Sequence, residues 1–203
     1  MNEAMNSVLA VYHERLAKEK QQPRDRASRS GLDQRLLAIG PETGQLVNIL
    51  ASSLEAPTIL EIGTSYGYSG IWLADAARKS GGHLITMELQ DYKSAYAREM
   101  SERAGLSDFV NFQVGDAIEL IQNLPGKVDF ILLDLWNDLY LACLEAFYDK
   151  LNPGAIIVAD NMMRRHDHQI HPYSQAVRRK MGISSVLLPV GSGIEVSRFE
   201  GAE

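Results

Sequence analysis

The chain has 203 residues, 45% of them hydrophobic, the size of one domain with a sizeable core. Its formal net charge of -6 argues against tight, charge-driven binding to nucleic acid or an anionic membrane, because that binding needs Lys and Arg against phosphates. A single cysteine, Cys143, excludes an internal disulfide and no run nears the ~18 apolar residues of a membrane span; with Glu3, Glu14 and Arg15 breaking up the N-terminus where a signal peptide is apolar, a soluble cytoplasmic protein is expected.

From Asn2 to Lys20 the apolar residues Val8, Leu9, Tyr12 and Leu16 recur at helical spacing, which predicts an amphipathic helix. Gln21 to Ser30 is polar, contains Pro23 and carries Arg24, Arg26 and Arg29, so it reads as a connection. A short helix over Leu32 to Ala38 is expected next. Gly40-Pro41-Glu42-Thr43-Gly44 then starts a helix running through Leu54, with Leu46, Ile49 and Leu50 toward the core. Residues 1–40 are thus an N-terminal helical extension, and 41–203 the core of a single domain.

The stretch from Thr58 to Gly70 organises the rest. The apolar run Ile59, Leu60, Ile62 ends at Gly63, passes Gly67 and enters the amphipathic Ile71-Trp72-Leu73-Ala74, a buried strand turning sharply into a helix. Such an elbow brings backbone close to a ligand and points free helix N–H groups at it. Ser65 stands where the dinucleotide fingerprint needs its second glycine, so the fit to that pattern is poor. Glu61, two residues before Gly63, suits a cationic ligand better than a diphosphate.

Beyond the elbow strand and helix alternate. Strands are predicted over His83 to Met87, ending at Glu88, over Val110 to Val114, over Val128 to Leu133 and over Ala155 to Val158. Helices are predicted over Tyr92 to Ala104, Ile118 to Leu124 and Leu139 to Leu151, the last ended by Asn152-Pro153-Gly154. That order implies a parallel sheet covered on both faces. A helix near Ser174 to Met181 precedes two strands, Ser185 to Val190 and Ile194 to Phe199, joined through Gly191-Ser192-Gly193 as an antiparallel hairpin.

Open parallel sheets bind ligands beyond the carboxyl ends of their strands, and here those ends carry Glu88, Gly115-Asp116-Ala117, Asp134 with Trp136 nearby, and Asp160-Asn161. Two carboxylates and an amide oxygen at Asp134, Asp160 and Asn161 make a hard, all-oxygen set that suits Mg²⁺ or a similar ion. Asp116 equally suits a helix cap, Trp136 a core position, and Asp160-Asn161 a plain turn. In Arg164-Arg-His166-Asp-His168-Gln-Ile-His171, three histidines in six residues read as an exposed lid, a base or substrate contact, or a soft-metal site.

The stretch Leu60-Glu-Ile-Gly63-Thr-x-x-Gly67-Tyr-Ser69, together with Leu187-Leu-Pro-Val-Gly191-x-Gly193, resembles the S-adenosylmethionine-dependent O-methyltransferase family that includes catechol and caffeoyl-CoA O-methyltransferases. The resemblance implies a Rossmann-like α/β fold with a seven-stranded sheet, mainly parallel with a C-terminal antiparallel hairpin, and helices on both faces. It implies that Glu61, Gly63 and Ser69 hold the amino-acid part of S-adenosylmethionine, Glu88 its ribose, and Gly115, Asp116, Ala117 and Trp136 its adenine. Asp134, Asp160 and Asn161 would bind Mg²⁺ or another divalent cation, with Asp134 shared by the cofactor and catalytic sets. It further implies a small, catechol-like hydroxylated acceptor and a homodimer.

One position departs from the pattern. Members of this family usually carry Lys three residues after the first metal Asp, as base on the hydroxyl, whereas this chain has Asn137, which cannot accept that proton. Either metal acidification suffices, or a histidine such as His166 or His168 takes over, or activity toward simple catechols is poor. Two rivals stay open: a methyltransferase of a hydroxylated tRNA base, and a protein that binds S-adenosylmethionine without turnover.

Overall fold

The structure is a computed structural model that describes residues 3–21, 32–163 and 171–201. Seven strands form one sheet: β1 (Thr58–Ile62), β2 (His83–Glu88), β3 (Val110–Val114), β4 (Val128–Leu133), β5 (Leu151–Ala159), β6 (Ile183–Leu188) and β7 (Ile194–Phe199), in the spatial order β3-β2-β1-β4-β5-β7-β6. The first five run parallel, and β7 enters antiparallel to both β5 and β6. The chain leaves β1 toward β2 and β3, then returns to the other side of β1 for β4 and β5. That reversal opens a crevice past the carboxyl ends of β1 and β4, where ligands of such sheets bind.

The helices are α1 (Glu3–Gln21), α2 (Pro41–Ser52), α3 (Tyr68–Ser80), α4 (Asp91–Arg103), α5 (Ala117–Gln122), α6 (Tyr140–Phe147) and α7 (Pro172–Val177). β4 reads as an almost wholly apolar run because both its faces are covered. Phe130 and Leu132 join one cluster with Val8, Leu9 and Tyr12 of α1 and Ile71 and Leu73 of α3. Ile131 and Leu133 join the opposite cluster with Ile121, Leu144 and Val177. Asp129, the polar interruption of the run, receives Thr58 N–H at 2.8 Å on one oxygen and Asn152 Nδ2 at 2.7 Å on the other, tying the starts of β1, β4 and β5 together.

Several expectations change. The most buried face of α2 is Thr43, Gly44, Val47, Asn48 and Ala51; Leu46 and Leu50 pack against the core at its margin, while Ile49 is 64% exposed. Gly44 lies so close to Trp72 that a Cβ there would come within 2.5 Å of Nε1, and Asn48 Nδ2 donates to Trp72 O at 2.7 Å and to Asp75 Oδ2 at 3.1 Å. Close helix approach and a buried polar pair outrank the apolar stripe.

Next, the helix expected over Leu32 to Ala38 is helical only at Leu32 and Asp33. Backbone groups that would build its ladder bond to side chains instead: Gln34 O accepts from Arg15 Nη2 at 3.0 Å, and Leu36 N–H donates to the Glu19 carboxylate at 3.1 Å. The helix before β5 is also shorter, α6 flanked by 3₁₀ turns at Asn137–Leu139 and Tyr148–Lys150. Asn152-Pro153-Gly154 sits inside β5 rather than ending that helix; Val128 pairs with Leu151 and Phe130 with Ile156, so the extra residues bulge from the ladder, where a proline is tolerated. Finally, α7 begins at Pro172 under a His171 cap and β6 begins at Ile183, each two residues early. Among the described residues no helix is long and apolar enough to cross a membrane.

Candidate functional site

The β1–α3 elbow depends on tight backbone contact. Gly63 has φ +106°, and a Cβ on it would fall 2.2 Å from the Asp134 carbonyl oxygen, so the ends of β1 and β4 touch through backbone alone. Gly63 N–H and Thr64 N–H both donate to Met87 O at 3.0 Å, and Asp134 N–H donates to Ile62 O at 3.0 Å. Three strand ends are thereby held in register around the crevice.

A cleft of about 190 Å³ opens there. Of the residues expected at the site, it is lined by Gly63, Glu88, the Gly115-Asp116-Ala117 turn, Asp134, Trp136, Asn137 and Asn161. Glu88 receives Ser65 N–H at 2.8 Å on Oε2 and Gln90 N–H at 3.0 Å on Oε1. Each carboxylate oxygen keeps a lone pair for a further donor, such as one hydroxyl of a vicinal pair. Ser65 holds φ +49°, an uncommon conformation for a residue with a Cβ, and its bond to Glu88 helps keep it there. Asp116 caps α5 through Oδ1, accepting Ile118 N–H at 2.9 Å and Glu119 N–H at 3.2 Å, while also facing the cleft.

Two expected cofactor residues do not line this cleft. Glu61 is wholly buried beneath the elbow, where Oε2 accepts from Thr86 Oγ1 at 2.6 Å and Oε1 has no partner among the described residues. Burial pushes its carboxyl up to about 7, against hydrogen bonds from Ser69 and Thr86, and the Glu88 charge adds to the rise. Ser69 is likewise buried, on the inner side of α3. Both sit behind the wall that Gly63 forms.

At the other rim, Asn161 has φ +66°, a left-handed conformation that Asn tolerates better than most residues. Its Nδ2 donates to Asp134 Oδ1 at 2.8 Å, and its Oδ1 is buried with no hydrogen-bond partner among the described residues. Asp160 is 2% exposed, and Tyr140 Oη spans the strand ends by donating to both Leu133 O and Asp160 O at 3.2 Å. Among the described residues no three His, Cys, Asp or Glu side chains converge as a metal group, so a cation here depends on the Asn161 amide. An orphaned amide oxygen beside two aspartates fits a hard, oxygen-seeking ion.

His166 and His168 lie outside the described residues. His171 is buried and packs against Tyr140, its Nδ1 accepts Tyr173 N–H at 3.2 Å, and its Nε2 lies 3.2 Å from Asn137 Nδ2. The lone thiol, Cys143, is buried and pushed up to about 12 by burial, which leaves it inert.

Sequence reasoning missed the cleft's third wall, formed by Asp33, Leu37, Gln90 and Lys93. Lys93 is only 4% exposed and pairs with Asp33 at 2.5 Å, and Gln90 Nε2 donates to the other Asp33 oxygen. Ser65 Oγ donates to Leu36 O at 3.3 Å, so the segment before α2 is fastened across the cleft from both sides. The available signal was a lysine in the first turn of α4, where the helix dipole disfavours a cation.

Comparisons agree with this geometry. Residues 60–162 match the family model described as a methyltransferase domain. The chain is 34% identical over 151 residues to a catechol O-methyltransferase of Niastella koreensis, covering 70% of this chain and 68% of that protein. It is 33% identical over 129 residues to a catechol O-methyltransferase of Mycobacterium tuberculosis, covering 63% of this chain and 58% of that one. Among solved structures, an O-methyltransferase from Bacillus cereus in complex with SAH superposes with a TM-score of 0.74 at 26% identity, over 98% of this chain and 91% of that one. With its elbow, strand order and strand-end residues in their expected places, the chain belongs to the S-adenosylmethionine-dependent O-methyltransferase family that includes catechol and caffeoyl-CoA O-methyltransferases.

Proposed function

We propose that the protein transfers the methyl group of S-adenosylmethionine to a hydroxyl of a small, catechol-like acceptor, assisted by a divalent cation such as Mg²⁺. The observation that carries this reading is one cleft with two unlike rims. One rim offers the oriented carboxylate of Glu88 and the Gly115-Asp116-Ala117 turn; the other offers Asp134 and the unpartnered amide oxygen of Asn161.

Glu88 accepts ribose hydroxyls on lone pairs that the Ser65 and Gln90 amides leave open. Gly115, Asp116, Ala117 and Trp136 flank the adenine. Gly63 lets the amino-acid part approach the backbone, while Glu61 and Ser69 support the elbow from behind. Asp134, Asp160 and Asn161 would hold the cation, which would supply Lewis acidity that lowers the pKa of an acceptor hydroxyl. Orientation of the acceptor by these fixed strand ends then contributes much of the rate. By the same resemblance the protein works as a cytoplasmic homodimer, which sedimentation velocity and cell fractionation would test.

The deciding experiment is methyl transfer from S-adenosylmethionine to catechol and caffeate derivatives with Mg²⁺ or with chelator. Metal-dependent O-methylated product is expected. Binding of S-adenosylmethionine without product from any acceptor would overturn the proposal and favour a non-catalytic role.

A further inference from the structure

The residue standing where a lysine base is usual is not idle: it is held by a buried histidine. His171 caps α7, and its Nδ1 accepts the Tyr173 N–H. A ring nitrogen that accepts a backbone N–H carries no proton, so the neutral imidazole must carry its proton on Nε2. That Nε2–H points at the Asn137 amide, 3.2 Å away. Two donors cannot face each other, so the amide oxygen of Asn137 must be the atom turned toward His171; oxygen and nitrogen of an amide are assigned from such networks. The Asn137 NH₂ is then the end left for the cleft that Asn137 lines.

We infer that Asn137 donates a hydrogen bond to the acceptor oxygen, that His171 is the positioning residue that fixes this orientation, and that the preferred acceptors carry a hydroxyl acidic enough to be bound as the oxyanion. The inference rests on the proposed O-methyl transfer. A donor at this position stabilises negative charge on oxygen, whereas a lysine base would remove a proton from a neutral hydroxyl. In the transfer, the hydroxyl proton leaves to solvent as the acceptor ionises. An electron pair of the oxyanion forms the new O–C bond, and the methyl C–S bond breaks with its pair passing to sulfur. No protein base is consumed.

Two measurements test this without turnover. Long-range ¹H–¹⁵N spectra of the imidazoles, with His171 assigned by the signal lost in His171→Asn, should show the Nε2–H tautomer; the Nδ1–H tautomer would overturn the arrangement. The second uses 4-nitrocatechol, whose ionisation is visible by absorbance, bound in the presence of Mg²⁺ and S-adenosylhomocysteine. Its bound pKa should rise by about one unit or more in Asn137→Ala, the value of one hydrogen bond to a charged group. His171→Asn, which keeps a helix cap while removing the contact to Asn137, should rise part of the way, and the double variant should match Asn137→Ala. An unchanged bound pKa in Asn137→Ala would overturn the inference. Absence of methyl transfer in the earlier assay, with these shifts present, would instead count against the reaction and not against the arrangement.

Discussion

Glu61→Gln should make the protein less sensitive to pH in a direction opposite to ordinary acid denaturation. The Glu61 carboxyl is wholly buried, and burial moves it from 4.5 to about 7. Between those values the folded state keeps a proton that the unfolded chain has released, so the unfolded state binds fewer protons and stability falls as pH rises. At 1.36 kcal/mol per unit, the full penalty above about pH 7 is about 3 kcal/mol, and below about pH 4 it vanishes. At pH 5.5 about 1.4 kcal/mol of it is present, which leaves about 2 kcal/mol to develop by pH 8. Glutamine keeps an oxygen for Thr86, and whatever its NH₂ costs opposite the unpartnered Oε1 position does not vary with pH. Urea unfolding of both proteins at pH 5.5, 6.5, 7.5 and 8.0 isolates the effect, because other titrating groups are common to both. The variant's stability relative to the parent should rise by about 2 kcal/mol across that range. A difference flat to within about 0.5 kcal/mol, or one that falls, would show a carboxylate already ionised inside the fold and refute the reasoning.

Gly63→Ala must move the end of β1 away from β4, since its Cβ would sit 2.2 Å from Asp134 O at φ +106°. A loss of about 3 kcal/mol or more is expected, lowering Tm on the order of 10 °C and weakening S-adenosylmethionine binding measured by calorimetry. Asp33→Ala strands the nearly buried Lys93 and should cost about 3 kcal/mol, with Asp33→Ala/Lys93→Met recovering most of it in chemical denaturation. Asp134→Asn should reduce cation affinity by tenfold or more, on the order of 1.4 kcal/mol, in Mn²⁺ titration, with little change in fold by circular dichroism. Asp116→Ala removes two N–H contacts at the start of α5 and should lower stability by about 1 kcal/mol.

The sheet was legible because its signals are local. Val128–Leu133 shows an almost wholly apolar run, the elbow shows two glycines at a strand-to-helix turn, and Gly191-Ser192-Gly193 sits between β6 and β7. Strand ends are therefore readable, and with them the positions of Glu88, Asp116, Asp134 and Asn161 along one edge. Packing between distant segments is not local, and there the sequence was mute or misleading. The apolar spacing of Leu46, Ile49 and Leu50 predicted the core face of α2 only in part: Leu46 and Leu50 pack against the core, but Gly44 against Trp72 and Asn48 against Asp75 centre the buried face elsewhere and leave Ile49 exposed. The pattern at Leu32 to Ala38 suggested a helix, but Glu19 and Arg15, more than a dozen residues away, take its backbone groups.

The same division runs through the site. Sequence alone determined the order of the polar strand-end residues and the absence of a lysine at position 137, since both are properties of a residue type at a known place on a strand or just beyond it. Only tertiary structure decided that Glu61 lies behind the wall rather than in it, that Lys93 and Asp33 close the cleft, and that His171 meets Asn137. Each of those facts joins residues from separate elements, and which side chains meet there depends on how the sheet twists and the helices pack.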